Sequence, residues 1–165
     1  MKIAIISDSH ENLENLKKTI SWLNENKIKT IIHCGDVSRF NMLEEINQSF
    51  DGQTFLVWGN ADEGFFKDIQ YANYQNIKFC KQAGKIEIEN KKIAFTHFPK
   101  IARKLAQSGK HDLVFYGHSH KPWEEKIGKT KMLNPGNLQG SPYTATFAVY
   151  DFSNDKLELK ILDKL

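Results

Sequence analysis

Two rhythms of apolar and polar residues divide this chain. In the first part, short apolar runs at 2–7, 29–34 and 53–58 read as buried strands. Between the first two, Leu13, Leu16, Ile20 and Leu23 recur at three- and four-residue spacing. That spacing predicts an amphipathic helix over 11–27 with one face inward. A second helix is predicted near 41–50, with Leu43, Ile46 and Phe50 inward. The order β-α-β-α-β predicts a parallel sheet with right-handed crossovers.

From about residue 77 the pattern changes. Ile86 and Ile88, then Ile93 and Phe95, alternate around Asn90-Lys91, which predicts a hairpin. Pro99 starts a predicted short helix over 99–108, and a strand follows at 112–116. Further strands are predicted at 123–127 and 130–134, turned by Gly128, and at 144–151 and 156–162, turned by Ser153-Asn154-Asp155. The second half is therefore expected to be mostly antiparallel. The two halves together predict an α/β fold, a sandwich of two mixed sheets with helices on its outer faces. No repeat, linker or low-complexity tract interrupts the chain, so 1–165 is expected to form a single domain.

Composition narrows the function classes. At 165 residues the chain can bury roughly two-thirds of its unfolded surface. A net charge of +3, with lysines interleaved among Glu and Asn, makes no basic track for a nucleic acid. Cys34 and Cys80 are too few for a disulfide framework or a zinc knuckle. No run approaches the ~18 apolar residues of a membrane span, and the short N-terminal run lacks a basic flank. A cytoplasmic protein is expected, and a homodimer is compatible with everything above.

The chemistry lies where the apolar runs stop. Ile3-Ala4-Ile5-Ile6 runs into Asp8 and His10, and Ile31-Ile32 leads through His33-Cys34-Gly35 to Asp36. Phe55 to Gly59 ends at Asn60, Ile93 to Thr96 at His97, and Leu113 to Gly117 at His118 and His120. In open α/β sheets, ligands gather beyond the carboxyl ends of the strands. Each piece alone has a plain structural reading, such as a turn aspartate or a hydrogen-bonded core histidine. The ordered set makes a metal site the leading expectation, and seven N/O ligands are too many for one ion. Residues at i and i+2 on extended backbone point the same way, so Asp8/His10 and His118/His120 are each expected to deliver two ligands to one place. Gly35, Gly59 and Gly117 each precede a candidate ligand, where a Cβ would obstruct the approach. Imidazoles, carboxylates and an amide without thiolate suit Mn, Fe, Ni, Co or Zn better than copper(I) or an iron–sulfur cluster, with Mg left open.

The ordered motifs D-x-H, G-D, G-N-x-D, T-H and G-H-x-H, with the Asn134-Pro135-Gly136 loop, resemble the calcineurin-like metallophosphoesterase superfamily, and more narrowly its small YfcE-type phosphodiesterases. The resemblance implies an αββα sandwich holding two divalent metal ions, with manganese the first choice. It implies Asp8, His10 and His120 on the first ion, Asn60, His97 and His118 on the second, and Asp36 bridging both. It further implies hydrolysis of small or activated phosphodiesters by a metal-bridging hydroxide, with Asp36, Asn60, Asp62 and His97 as the catalytic set. A phosphomonoesterase or nuclease of the same fold is an alternative, and so is a non-catalytic scaffold like the retromer subunit built on it. The chain departs from its relatives at Gly59-Asn60-Ala61-Asp62, where many phosphatases carry a proton-donating His after the Asn. Asp62 is then either a chemical participant or an orienting partner of His97 or His10. Phe98-Pro99 replaces the usual Gly-His and adds an apolar wall. His33 is a candidate support for the bridging region, and Asn137 reads as a turn residue beside Pro135-Gly136. Arg39 could clamp a phosphate or lie solvated at a helix start. Trp58, Phe65, Phe66, Tyr71 and Trp123 are candidates for a stacking surface, with 64–74 as a flexible rim.

Overall fold

The computed structural model describes residues 1–64 and 74–165. Among these residues, eleven strands form two sheets. The first has β1 (Lys2–Ile6), β2 (Thr30–His33), β3 (Gln53–Leu56) and β4 (Ile77–Phe79) side by side and parallel. On the other edge of β1, β10 (Thr146–Asp151) and then β11 (Lys156–Ile161) join antiparallel. The second sheet runs β5 (Ala83–Ile88), β6 (Lys91–Thr96), β7 (Leu113–Phe115), β9 (Thr130–Asn134), β8 (Trp123–Ile127).

Strand alternation decides what each layer touches. In β1, Ile3 and Ile5 join Ile32, Val57, Phe95 and Phe115 in the core between the sheets. Ala4 and Ile6 point the other way, beneath helices α1 (Leu13–Glu25) and α2 (Phe40–Ser49). The predicted stripe of α1 is buried through Leu16, Ile20 and Leu23, each side chain contributing roughly 1.5–3 kcal/mol by leaving water. Asn12 starts this helix by accepting the Asn15 N–H at 3.0 Å. Helix α3 (Pro99–Gln107) covers the outer face of the second sheet with Ala102 and Ala106 against Ala94, Val114 and Met132. The layers are helix, sheet, sheet, helix, as predicted.

Two expectations are corrected, and one strand is added. The second half is not mostly antiparallel at its centre, because β6, β7 and β9 are parallel neighbours. Helix α3 supplies the crossover that parallel β6 and β7 require. The hairpin turn is Glu89-Asn90, one residue earlier than Asn90-Lys91, with Ile88 opposite Lys91 and both turn residues at positive φ. Strand β4 carried no sequence signal, since three residues are too few to show a period.

Candidate metal centre

The carboxyl ends of β1, β2 and β3 in one sheet and of β6 and β7 in the other open onto the same place, and all seven candidate ligands converge there. They arrive by an unexpected route. Asp8, His10, Asp36, His118 and His120 all have left-handed backbones, with φ of 51°, 44°, 57°, 73° and 58°. The extended i, i+2 delivery expected for Asp8/His10 and His118/His120 is therefore replaced by tight left-handed turns. Each such residue costs roughly 1–2 kcal/mol, so the surrounding structure has to impose them. It does so by cross-links between loops: Asp8 N–H to the Gly35 carbonyl at 3.0 Å, His10 N–H to the Asp36 carbonyl at 2.9 Å, and His118 N–H to Asp8 Oδ2 at 3.0 Å.

The ligand atoms form two groups. In the first, His120 Nε2 lies 3.3 Å from Asp8 Oδ1 and 3.2 Å from His10 Nε2. In the second, His97 Nε2 lies 3.1 Å from His118 Nδ1 and 3.2 Å from Asn60 Oδ1, and the last two are 2.9 Å apart. The His118/His120 pair thus divides between the groups. Asp36 Oδ2 stands between them, 3.8 Å from His10 Nε2 and 3.4 Å from His97 Nε2. Its other oxygen accepts the Ala61 N–H at 2.8 Å, which leaves Oδ2 for the centre. Asp8 reaches further than its assignment to one ion alone: it offers an oxygen both to His10 and His120 and to Asp36 and His97, all ligand atoms in each set within 4.8 Å. Asp8, Asp36 and His97 are buried, whereas Asn60 and His118 are exposed at the mouth.

The donor set fits divalent cations. His97 Nδ1 donates to the Cys34 carbonyl at 2.8 Å and His120 Nδ1 to the Ser141 carbonyl at 3.2 Å, so each imidazole, when neutral, presents Nε2 inward as a lone pair. His10 Nδ1 meets Ser38 Oγ at 3.2 Å and also turns Nε2 inward. Lone pairs aimed at one another at hydrogen-bond distance repel, and a shared cation removes that repulsion. Burial raises the Asp8 carboxyl, yet the His120 hydrogen bond and the fields of His97 and His120 outweigh it and hold the group below its ordinary value. Reciprocally, the Asp8 hydrogen bond lifts His120 against its partial burial.

Glycine makes the approach possible. A Cβ on Gly59 would lie 1.9 Å from Asp36 Oδ1, and one on Gly117 would lie 2.0 Å from Ser7 Oγ and 2.7 Å from Asp8 Oδ2.

Asp62 has a different place from the one expected. It is buried, and its two oxygens accept four backbone N–H groups: Asp36 at 2.9 Å, and Val37, Ser38 and Gly59 at 2.8 Å each. It therefore orients neither His97 nor His10. It ties the loop after β2 to the exit of β3, a positioning role rather than contact with reacting atoms. Burial lifts its carboxyl above the ordinary value against the pull of these N–H groups. His33 is both buried and engaged: Nδ1 accepts the Gly35 N–H at 3.2 Å, and Nε2 donates to Ser9 Oγ at 3.0 Å. It joins the loops carrying Asp8 and Asp36, and burial pushes its pKa down to about 3.

Sequence reasoning passed over several supports. Asn134 donates to the Gly117 carbonyl at 2.9 Å and to Ser119 Oγ at 3.0 Å, which holds the loop of His118 and His120. Asn137 is more than a turn residue, since its buried amide donates to the His120 carbonyl at 3.1 Å and accepts the Gly140 N–H at 2.6 Å. Two asparagines flanking Pro135-Gly136 were the available signal.

The remaining candidates fall out as follows. Arg39 Nε pairs with Glu11 Oε1 at 2.6 Å on the surface, so its charge is already partnered by a carboxylate. Phe98 does form a wall, its ring centroid 5.1 Å from that of His97 and 5.7 Å from that of His118. Trp58 stacks on Phe79 at 5.4 Å, and Trp123 is half exposed on β8. Phe65, Phe66 and Tyr71, and nearly all of the expected rim, lie outside the described residues. Beside His10, an open cleft of about 670 Å³ is lined by Asn12, Leu13, Ser38 and Gln139 among others.

Comparison with known proteins agrees with this geometry. Residues 1–155 match the calcineurin-like phosphoesterase superfamily domain. Phosphodiesterase MJ0936 of Methanocaldococcus jannaschii is 31% identical over 148 residues, covering 85% of this chain and 86% of that protein. A solved structure of a novel archaeal phosphodiesterase superposes with a TM-score of 0.83 at 26% identity, covering 98% of this chain and 99% of that one. The phosphoesterase Yfce of E. coli shares the fold, with a TM-score of 0.71 at 17% identity over 98% of this chain and all of the other.

Proposed function

From the premise that the chain belongs to the calcineurin-like phosphoesterase superfamily, we infer that this metal-dependent phosphoesterase is a phosphodiesterase acting on small or activated diesters. The observation that carries the reading is the pair of ligand groups meeting at Asp36 Oδ2. Asp8, His10 and His120 would hold one divalent ion, Asn60, His97 and His118 a second, and Asp36 would serve both. Two such ions, manganese first among the candidates, supply Lewis-acid activation of water and withdraw charge from the phosphoryl oxygens.

The protein's own groups do the rest. The Cys34 and Ser141 carbonyls keep His97 and His120 in the tautomer that offers Nε2. Asn60, at the mouth, turns Oδ1 toward His97 and His118, so its amide N–H is available to a phosphoryl oxygen. Phe98 shields one side from water. Position 61 is an alanine, whose contribution is the backbone N–H donated to Asp36, so no imidazole there protonates a departing alkoxide. Leaving groups that depart without a proton, such as phenolates, are favoured accordingly. A monoester dianion calls for added cations, and Arg39 is engaged with Glu11. The small diester is for these reasons preferred over a monoester, and over a nucleic acid.

The test is an activity screen on purified protein that pairs Mn, Ni, Mg and Zn with an aryl diester, an aryl monoester and cyclic nucleotides. Diester hydrolysis stimulated by Mn or Ni is expected, and it disappears in Asp36→Ala and His97→Ala proteins that keep their fold. Full activity in Asp36→Ala ends the assignment. Turnover of the monoester alone makes the protein a phosphomonoesterase, and inactivity with every metal favours the scaffold reading.

A further inference from the structure

The far edge of the first sheet is open. Strand β11 pairs only with β10 among the described strands, so its outer N–H and C=O groups form an unpaired edge. Soluble proteins blunt such edges because they template strand addition. Here the edge is flanked by hollows on both faces, the one between the sheets mostly apolar. Towards the space between the sheets, Pro122, Trp123, Leu133, Ala148, Leu157 and Leu159 line a groove of about 240 Å³. On the helix side, Trp22, Leu162 and Leu165 lie in one of about 460 Å³ whose rim is polar, with Lys18, Glu25 and Asp163. Three of the five exposed large apolar side chains among the described residues are found here: Trp123, Leu159 and Leu165.

The sequence of β11, Lys156-Leu157-Glu158-Leu159-Lys160-Ile161, indicates what fits it. Leu157, Leu159 and Ile161 lie opposite Tyr150, Ala148 and Thr146 of β10, on the side of the inter-sheet core. Lys160 lies on the helix side, its Nζ 5.2 Å from the Trp22 ring. Consider a two-fold axis through Leu159, perpendicular to the sheet. An antiparallel second copy then sets Leu159 against Leu159, Leu157 against Ile161 and Glu158 against Lys160. Apolar residues meet on one face, and two opposite-charge pairs meet on the other. Shifting the axis to Glu158 instead sets Glu158 against Glu158 and Lys156 against Lys160, which like-charge repulsion disfavours. The strand is self-complementary in one register and self-repelling in the next.

We propose that β11 is a homodimer interface, through which two copies of the chain join their first sheets edge to edge in the register centred on Leu159. The contact is isologous, as a closed two-fold dimer requires, and each copy closes the other's two grooves. Because the axis reverses strand direction, the two metal centres face opposite ways and neither borrows a residue from the other. The interface stands apart from the reaction, so it holds or fails independently of the proposed activity.

Sedimentation equilibrium of the intact protein in the micromolar range tests it. The wild type is expected to be a dimer. Glu158→Lys places lysines opposite lysines and weakens the dimer by about tenfold or more. The double reversal Glu158→Lys/Lys160→Glu restores the cross-strand pairs, and with them an affinity within about threefold of wild type. Hydrolysis per chain stays unchanged in all three. Amide exchange on the wild type supplies a second measurement that needs no variant: protection of Lys156–Ile161 is expected to fall on dilution. A wild type that remains monomeric, a Glu158→Lys dimer as tight as the wild type, or β11 protection independent of concentration overturns the proposal. A monomer would leave the edge to a foreign strand.

Discussion

Asp62 carries the largest burden of any single side chain near the centre. Four backbone N–H groups converge on its carboxylate, and two of them belong to Asp36 and Ser38, whose backbones are left-handed. Without that acceptor the donors lose their partner in a buried place, at about 1–3 kcal/mol for each group left unpaired. Asp62→Ala is expected to destabilise the protein by about 3 kcal/mol or more, lowering Tm by roughly 10 °C for a chain of this size. Metal affinity, read by calorimetry, falls with it. An Asp62→Ala protein with unchanged Tm and unchanged manganese affinity contradicts the positioning role. His33 offers a pH signature. Burial holds its folded pKa near 3, far below the ordinary 6.5, so the unfolded chain takes up the proton first. Stability is therefore complete above pH 6.5 and declines as pH falls towards 3, by up to about 1.4 kcal/mol per pH unit. Metal-free His33→Asn is expected to show a shallower fall of Tm between pH 7 and pH 5 than metal-free wild type; equal slopes count against it.

At the scale of elements, loops after strands do the chemical work and turns between strands set the register. Gly59 sits where β3 hands over to the turn carrying Asn60, and its missing Cβ leaves room for Asp36 Oδ1. Gly59→Ala displaces that carboxylate, and manganese affinity is expected to drop at least about tenfold, the equivalent of 1.4 kcal/mol. Titration calorimetry reads the drop directly, and wild-type affinity contradicts the close approach. In the β5–β6 hairpin, Glu89 and Asn90 have φ of 49° and 60°, which suits Asn-Gly far better than Glu-Asn. Glu89→Asn/Asn90→Gly is expected to add about 1 kcal/mol, or roughly 2–4 °C in Tm. Thermal unfolding that shows a loss instead places the turn elsewhere.

For the whole molecule, the centre is also a clasp. Asp8 comes from the first sheet and receives the N–H of His118 from the second, while His97 of the second sheet donates to the Cys34 carbonyl of the first. Cations bound among these groups stabilise the sandwich by mass action, about 2.7 kcal/mol at a hundredfold excess over Kd. Chelation is then expected to lower Tm by about 5–10 °C, and His97→Ala to remove most of that response. A melting curve indifferent to chelator in the wild type would separate the centre from the fold's stability. Among the described residues, no helix is long and apolar enough to cross a membrane.

Much of this protein is written in short-range pattern. Short apolar runs, alternation, three- to four-residue spacing and turn or proline signals together located ten of the eleven described strands and all three described α-helices, because burying a strand or one helix face demands such patterns. The order of Asp, His and Asn side chains at strand ends also named the candidate ligands that the structure brings together, since ligands gather beyond the carboxyl ends of parallel strands. Long-range geometry decided the remainder. Whether β9 lies beside β7 or elsewhere depends on crossovers, and local periodicity is silent about them. That Asp62 turns to four N–H groups, that His118 and His120 part company, and that five ligands adopt left-handed backbones all follow from contacts between loops far apart in the chain. A residue's own neighbours cannot specify such contacts. Only closing the two sheets over one another brings those loops within hydrogen-bonding distance.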